Sequence, residues 1–328
     1  MSKKIKKIAV LTSGGDSPGM NAAVRSVVRT CAYHNIECLG VYRGYEGLID
    51  SDFEPMNARS VRDIINRGGT ILKSARSKRF MTPEGRKVAH DNLVREGVDA
   101  MVLIGGDGTF TGGLVFNREY DFPVMGIPGT IDNDIAGTDF TLGYDTALNT
   151  AVEAIDKIRD TASSHNRLFF IEVMGRDVGH IALNAGIGAG AEQIMIPEES
   201  IGIERLLESL ERSRKSGKLS SIVIVAEGDK TGKNVFELKD YIDDLDQGYD
   251  VRVMVLGHMQ RGGSPTCFDR VLASRMGVKA VESLMEGKSN FMVGTVHDKM
   301  TLCPIDEALK GESKINKELI RVSEIMTT

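Results

Sequence analysis

The sequence predicts an α/β protein of two doubly wound domains with mainly parallel sheets. Three observations carry that prediction. Short apolar runs alternate with helix-period segments, glycine-rich turns stand at the ends of those runs, and 328 residues suffice for two domains of ordinary size. Such alternation covers a parallel sheet on both faces and gathers ligand-binding loops at the carboxyl ends of its strands.

The elements follow in order. Residues 6–11 read as a strand, 13–17 as a turn, and Pro18 as a first helical residue ahead of a helix over 20–33. Residues 36–42 form the next strand, helical patterns cover 61–66 and 84–96, and strands cover 100–104 and 123–127. After the loop 128–143 the rhythm resumes: helix 145–162, strand 167–173, helix 178–187, strand 193–196, helix 204–215, strand 221–226. A strand at 252–256 and a long helix over 265–285 complete it.

Composition narrows the function classes. With 41% apolar and 27% charged residues the chain is an ordinary globular one and not a disordered one. A net charge of −5 argues against a nucleic-acid or anionic-membrane binder, so arginine clusters read as local devices for small anions. The 36 glycines exceed the usual level of roughly 7%, which fits close backbone approach to ligands. The basic start is followed by an apolar run ending at Leu11, too short for a signal core or a membrane span, so the cytoplasm is the expected location. Cys31, Cys38, Cys267 and Cys303 show no C-x-x-C spacing, in keeping with a reducing compartment; Cys31, His34 and Cys38 lack a fourth metal ligand.

The chemistry concentrates at two strand ends. Gly105-Gly106-Asp107-Gly108-Thr109 closes one apolar run, and Thr130-Ile131-Asp132-Asn133-Asp134 follows the next. A strand, a glycine-rich turn and a helix let backbone N–H groups and the positive helix end approach phosphate oxygens. Carboxylates beside such a cradle can hold Mg²⁺ or accept the proton of an attacking hydroxyl. For any one of these side chains, a cap or turn role is the plainer reading.

Further motifs occur in order around these two. They are Gly14-Gly15-Asp16-Ser17-Pro18-Gly19-Met20-Asn21, Asn66-Arg67-Gly68-Gly69-Thr70, Met174-Gly175-Arg176 and Gly257-His258-Met259-Gln260-Arg261-Gly262-Gly263. The ordered set closely resembles the bacterial 6-phosphofructokinases. That resemblance implies the phosphofructokinase fold and transfer of the γ-phosphoryl group of ATP to the 1-hydroxyl of fructose 6-phosphate, with Mg²⁺. It also implies a homotetramer with sites shared between subunits, an ATP-binding domain over 1–142 and 259–309, and a fructose-6-phosphate domain over 143–258 and 310–328. The loop G-G-D-G-T alone also occurs in NAD and lipid kinases, which do not explain residues 128–134 or 258–263. A regulatory subunit would show loss of Asp132 or Asp107, and both are present.

Residue roles carry over position by position. Asp132 is the expected base, flanked by Thr130 and Asp134, with Arg76 and Arg176 as transition-state cations, since guanidinium stays charged and bridges two oxygens. Gly15, Arg76, Ser77, Gly106, Asp107, Gly108 and Thr109 are expected on ATP, with Asp107 as the Mg²⁺ carboxylate. Arg167, Arg252, His258 and Arg261 are expected around the 6-phosphate. Ile131, Met174, Gly175, Arg176, Glu227, Met259 and Gln260 complete the sugar site. Tyr45 is either a nucleotide-pocket residue or a core or loop tyrosine. In pyrophosphate-using relatives, the position of Gly108 is commonly aspartate and that of Gly129 lysine; glycine at both predicts ATP as donor.

An effector site for ADP, GDP or phosphoenolpyruvate is expected from Arg25, Arg29, Arg159, Gly190, Ala191, Glu192 and Lys218. Arg25 and Arg29 lie four apart on one helix face and can converge on one phosphate. Some relatives carry an arginine and an adenine-stacking aromatic at 58–63, where this chain reads Ala58-Arg59-Ser60-Val61-Arg62-Asp63, and another basic position is Ser216. Phosphate recognition without strong base recognition follows.

Overall fold

Residues 5–164, 167–199, 202–217, 220–230, 233–245 and 248–327 are described by the computed structural model. The chain opens with β1 (Lys7–Thr12), α1 (Met20–Tyr33), β2 (Glu37–Val41), α2 (Gly44–Asp50), β3 (Phe53–Met56), α3 (Pro83–Arg95), β4 (Ala100–Gly105), α4 (Asp107–Tyr120) and β5 (Val124–Pro128). It continues through α5 (Tyr144–Ala162), β6 (Arg167–Val173), α6 (His180–Gly188), β7 (Gln193–Met195), α7 (Ile203–Lys215), β8 (Ser221–Ala226), α8 (Val235–Asp244) and β9 (Asp250–Val255). Then come α9 (Cys267–Met285), β10 (Phe291–Val296), β11 (Lys299–Pro304), α10 (Ile305–Lys310) and α11 (Lys317–Met326). Among the described residues no helix is long and apolar enough to cross a membrane.

Two compact units result, Met1–Thr146 with Arg261–Ser313, and Ala147–Gln260 with Lys314–Thr328. The first holds a seven-stranded sheet in the order β11-β10-β5-β4-β1-β2-β3. Its centre is parallel, while the β2–β3 and β10–β11 pairs at the two edges are antiparallel. Period-2 alternation decides which side chains meet which helices. Ile8, Val10, Val102, Ile104 and Ile127 pack with α1 and α9, whereas Ala9, Leu11, Met101, Leu103 and Val124 pack with α2, α3, α4 and α10. The second unit holds the four-stranded parallel sheet β7-β8-β6-β9, whose Leu168, Phe170, Val223 and Val225 pack against Leu206 and Leu210 of α7 and Leu238 and Ile242 of α8.

Several expectations need correction. The pattern at 61–66 is not a helix: Asn57 accepts from the Arg59 and Ser60 N–H groups, Asp63 takes φ 56°, and the buried Val61 and Ile64 mimic a helix period from within consecutive turns. Pro18 precedes α1, whose N-cap is Gly19 at φ 98°. The long helix starts at Cys267, because Thr266 caps it. The sequence reading gave no range to α2, β3, α4, α8, β10, β11, α10 or α11. Most of these are short or lie at sheet edges, where the apolar pattern is weakest.

Candidate active site

Three neighbouring strand ends build the first unit's site. β5, β4 and β1 lie side by side, and the turns leaving them are stitched together, Ser13 N–H to Ile104 O at 3.0 Å and Gly129 N–H to Gly105 O at 3.0 Å. This is where the strand order reverses, the usual ligand crevice of such sheets. A Cβ on Gly105 would lie 2.4 Å from both Ser13 O and Thr109 Oγ1, so only glycine lets the turns approach. Asp107 is exposed at the first position of α4, and a Cβ on Gly108 would meet nothing within 4 Å. The buried Thr109 hydroxyl has no partner among the described residues. A positive helix end, an unengaged hydroxyl and open space over Gly108 fit phosphate oxygens. Asn21, 1% exposed, holds the following loop: its Nδ2 donates to the Arg67 and Gly68 carbonyls and its Oδ1 accepts from Ile71 N–H.

Asp132 is 1% exposed on the loop after β5. Thr130 Oγ1 donates to its Oδ2 at 3.3 Å and accepts its N–H at 3.2 Å. The return arm is sewn to this turn: Thr141 Oγ1 donates to Thr130 O at 2.7 Å, Thr141 N–H to Asn133 Oδ1 at 2.8 Å, and Leu142 N–H to Pro128 O at 2.9 Å. Asn133 sits at φ 54°, a conformation asparagine tolerates. Beyond the arm, Gly143 N–H reaches Asp269 at the start of α9. Burial pushes the Asp269 carboxyl up to about 6, against the opposing pull of the Thr146 hydroxyl and the Gly143 and Thr146 N–H groups.

Tyr45 resolves as a core tyrosine. It is 6% exposed and stacks on Phe80 with ring centroids 4.0 Å apart. Its hydroxyl donates to Thr109 O and receives the Gly113 N–H, so it sits at one rung of α4. A Cβ on Gly112 would come within 2.8 Å of the ring, which explains glycine at that position. Tyr45 therefore supports the turn that carries Asp107 and Thr109 from below.

Arg76 is exposed, while the Ser77 hydroxyl donates to Glu46 and accepts from Phe80 N–H. Arg261 lies over Gly15: its Nη1 would be 2.9 Å from a Cβ there and stands 3.4 Å from Asp16 O. The structure thus puts Arg261 against the first phosphate-type turn, in the first unit, while His258, Met259 and Gln260 belong to the second.

The second unit gathers most of the residues expected around the sugar phosphate. Glu227 Oε1 accepts the N–H groups of Gly175 at 3.2 Å and Arg176 at 2.6 Å, clamping a turn in which Gly175 takes φ 144° and Arg176 φ 53°. Burial and then Glu227 raise the Glu172 carboxyl above its ordinary range. Met174 is buried beside this turn and Arg176 is exposed. Arg167 and Arg252, on adjacent strands, share Asp250: Arg167 Nε lies 3.0 Å from its Oδ2, and Arg252 Nη2 2.9 Å from its Oδ1. Arg252 and then Arg167 hold the Asp250 carboxyl below its usual range. His258 and Met259 are exposed, and Gln260 is buried with its Nε2 donating to Gly257 O.

The expected effector residues fall into two groups. Arg25 and Arg29 line a groove of about 350 Å³ between α1 and α9 in the first unit, and burial followed by the charge of Arg29 lowers the Arg25 guanidinium. In the second unit Arg159 donates to Ala189 O at 2.9 Å and to Gly190 O at 2.6 Å, and approaches Glu192 Oε1 at 3.4 Å. Glu192 is 4% exposed and accepts from Ile222 N–H, and Ala191 is buried, so this group is a knot of contacts around the Gly190 turn in which the buried Arg159 Nε lacks a hydrogen-bond partner among the described residues. Lys218 lies outside the described residues.

Sequence reasoning missed Asn21, Thr141, Asp250 and Asp269 as contributors. Asp250 and Arg252 share a strand face, a period-2 signal that was available. Thr266-x-x-Asp269 has capping spacing, but its use across to another helix leaves no mark in the sequence.

Comparison with known proteins gives a concordant result. The family described as phosphofructokinase matches residues 7–284. The chain is 51% identical to "ATP-dependent 6-phosphofructokinase 2" of Bacteroides thetaiotaomicron over 97% of both chains. It is 52% identical to "ATP-dependent 6-phosphofructokinase 1" of Thermus thermophilus over 98% of this chain and 99% of that one. Phosphofructokinase from Saccharomyces cerevisiae superposes with a TM-score of 0.89 at 38% identity over 98% of this chain; the match spans 47% of the yeast chain. A pyrophosphate-dependent phosphofructokinase from Marinobacter aquaeolei, 22% identical, shares the fold with a TM-score of 0.83, over 96% of this chain and 86% of that one.

Proposed function

The chain belongs to the phosphofructokinase family, and on that footing we propose that it is an ATP-dependent 6-phosphofructokinase, transferring the γ-phosphoryl group of ATP to the 1-hydroxyl of fructose 6-phosphate. The observation that carries the reading is a buried Asp132 on the third of three adjacent phosphate-type turns. Phosphoryl transfer is largely positioning and charge compensation. Asp132 accepts the proton of the sugar hydroxyl, and Thr130, bonded to its Oδ2, keeps the other carboxylate edge directed. The Gly14–Gly15 turn and the start of α4 offer backbone N–H groups to the phosphates, and Thr109 offers its hydroxyl.

Arg76 and Arg176 balance the charge that develops on the transferred group, while Asp134 flanks the base. Arg167, Arg252, His258 and Arg261 take the 6-phosphate, and Glu227, Ile131, Met174, Gly175, Met259 and Gln260 shape the sugar site. Among the described residues no cluster of three or more His, Cys, Asp or Glu can hold a metal by itself. An ion held mainly by phosphate oxygens and water needs one carboxylate, which Asp107 supplies. Mg²⁺ there would neutralise phosphate charge. We read the assembly as a homotetramer with sites shared between subunits, working in the cytoplasm.

Donor choice rests on two glycines. At Gly108 the protein itself would admit a side chain, so its absence leaves room for the nucleotide. At Gly129, where a Cβ would lie 3.1 Å from Met20 Cε and 3.4 Å from Ile104, the chain lacks the lysine that would hold pyrophosphate. A coupled assay with fructose 6-phosphate, offering ATP and pyrophosphate in turn, tests the reading. Turnover with ATP alone is expected; efficient use of pyrophosphate with poor use of ATP would sink it.

A further inference from the structure

Three helices begin around one buried carboxylate. Asp269, in the first turn of α9, is 0% exposed. Its Oδ1 accepts from Gly143 N–H at 2.9 Å, and its Oδ2 accepts the N–H and the hydroxyl of Thr146 at 2.9 and 2.5 Å. Gly143, the residue before α5, has no side chain, so Asp269 supplies from α9 the cap that α5 lacks. The exchange is mutual. Thr146 Oγ1 accepts from Thr266 N–H at 3.0 Å, and Thr266 Oγ1 donates to Asp145 Oδ2 at 2.6 Å while accepting Asp269 N–H at 3.3 Å.

The start of α1 closes the group. A Cβ on Gly19 would lie 3.6 Å from Asp269 Cβ and 3.8 Å from Leu142 Cβ, and one on Gly143 would come within 2.7 Å of Ser17 Cβ. Both glycines take φ 98°. The turn after β1 and the end of the Asp132 loop therefore meet at Asp269. From Gly143 a continuous line of bonds runs through Leu142 and Thr141 to Pro128, Thr130 and Asn133, on either side of Asp132.

We propose that Asp269 is a positioning residue for phosphoryl transfer. Resting on the reading of Asp132 as the base, it fixes the return arm 141–143 and through that arm the register of Asp132. A carboxylate can receive three donors here, whereas an amide of the same shape must turn an NH₂ toward a backbone N–H or a hydroxyl. The arm then has to move, and a displacement of about 1 Å at reacting groups can cost on the order of 10²-fold in rate.

The full-length enzyme tests this through a cycle of Asp269→Asn, Asp132→Asn and the double variant, reading kcat and both KM values. Asp269→Asn should lower kcat about tenfold or more and leave both KM values within about threefold. In the Asp132→Asn background it should cost less than about twofold further, because groups acting as a unit are not additive. Losses that multiply in the double variant, an unchanged kcat, or an effect confined to KM would overturn the proposal. Should Asp269→Asn not fold, Thr146→Val, which removes the hydroxyl's donation to Asp269 and its acceptance of the Thr266 N–H and leaves Asp269 in place, enters the same cycle with the same criteria. A failure of the underlying reading shows separately: Asp132→Asn would keep near-normal kcat, which overturns both the base assignment and this proposal.

Discussion

Asp132 and the Arg167–Arg252 pair sit at opposite extremes of fixation. Asp132 is 1% exposed and its loop is bonded at Thr130, Asn133, Thr141 and Gly143, whereas Arg252 leaves 54% of its side chain exposed and shares one exposed carboxylate with Arg167. A group that moves a proton must be placed within tenths of an ångström before the substrate arrives. Groups that receive a phosphate dianion can instead rest on Asp250 and exchange that partner for the ligand. The difference teaches that the proposed base is held by a buried network, while the proposed sugar-phosphate arginines are held by one exposed carboxylate.

The sharpest way to break this contrast is Asp132→Asn, which keeps the shape and removes the proton acceptor. The expected loss in kcat is at least about 10²-fold with ATP binding nearly intact. Near-normal turnover would remove Asp132 from the mechanism. Arg252→Ala should do the reverse, raising KM for fructose 6-phosphate about tenfold or more with a smaller change in kcat, as expected for a charge-assisted contact to a phosphate. A fall in kcat at unchanged KM would place Arg252 on the chemical side.

Stability against pH probes the buried side. Burial raises Asp269 from 3.8 to about 6, so the native state holds its proton more tightly than the unfolded chain. The contribution is fully present below the unfolded value and is lost as pH rises through about 6. The stability advantage of the wild type over Asp269→Asn should therefore shrink between about pH 4 and pH 7, by at most about 3 kcal/mol. Denaturant unfolding of both proteins measures it; a flat or opposite difference would show that the carboxyl is not destabilised by burial. Tyr45→Phe is gentler: losing one hydroxyl at the Thr109–Gly113 rung should raise KM for ATP about two- to tenfold. No change in any ATP parameter would confine Tyr45 to the core. The smallest difference is expected at Arg25 and Arg29. At subsaturating fructose 6-phosphate, ADP and GDP should shift activity within about twofold of each other, since recognition there is of phosphate and not of base. A strong preference for ADP would contradict it.

Much of this was legible in the chain. The alternation of strands and helices predicts the two mainly parallel sheets, and the glycines at 105 and 14–15 mark strand ends because few other residues allow such approach. Asp107 and Asp132 stand out as candidates because each follows a strand-end glycine, Gly105-Gly106 and Gly129 respectively. What was not legible depends on residues far apart in sequence. Tyr45 could be read either way from its position alone, whereas its ring packs against Gly112, and Arg261, grouped with His258 through the family resemblance, lies over Gly15.

By itself, then, the sequence determined the fold class and the family and named a candidate set of reacting residues, because these depend on local period, turn chemistry and short motifs. Only the tertiary structure decided which carboxylates are buried and which distant groups they bind. Asp250 and Asp269 look like any aspartate in the chain, and they acquire their roles when β6 brings Arg167 beside Arg252 and α9 brings a buried carboxylate to the uncapped start of α5. The physical reason is that a hydrogen bond and a burial penalty depend on distance in space, and the linear chain does not record that distance until the sheet is formed.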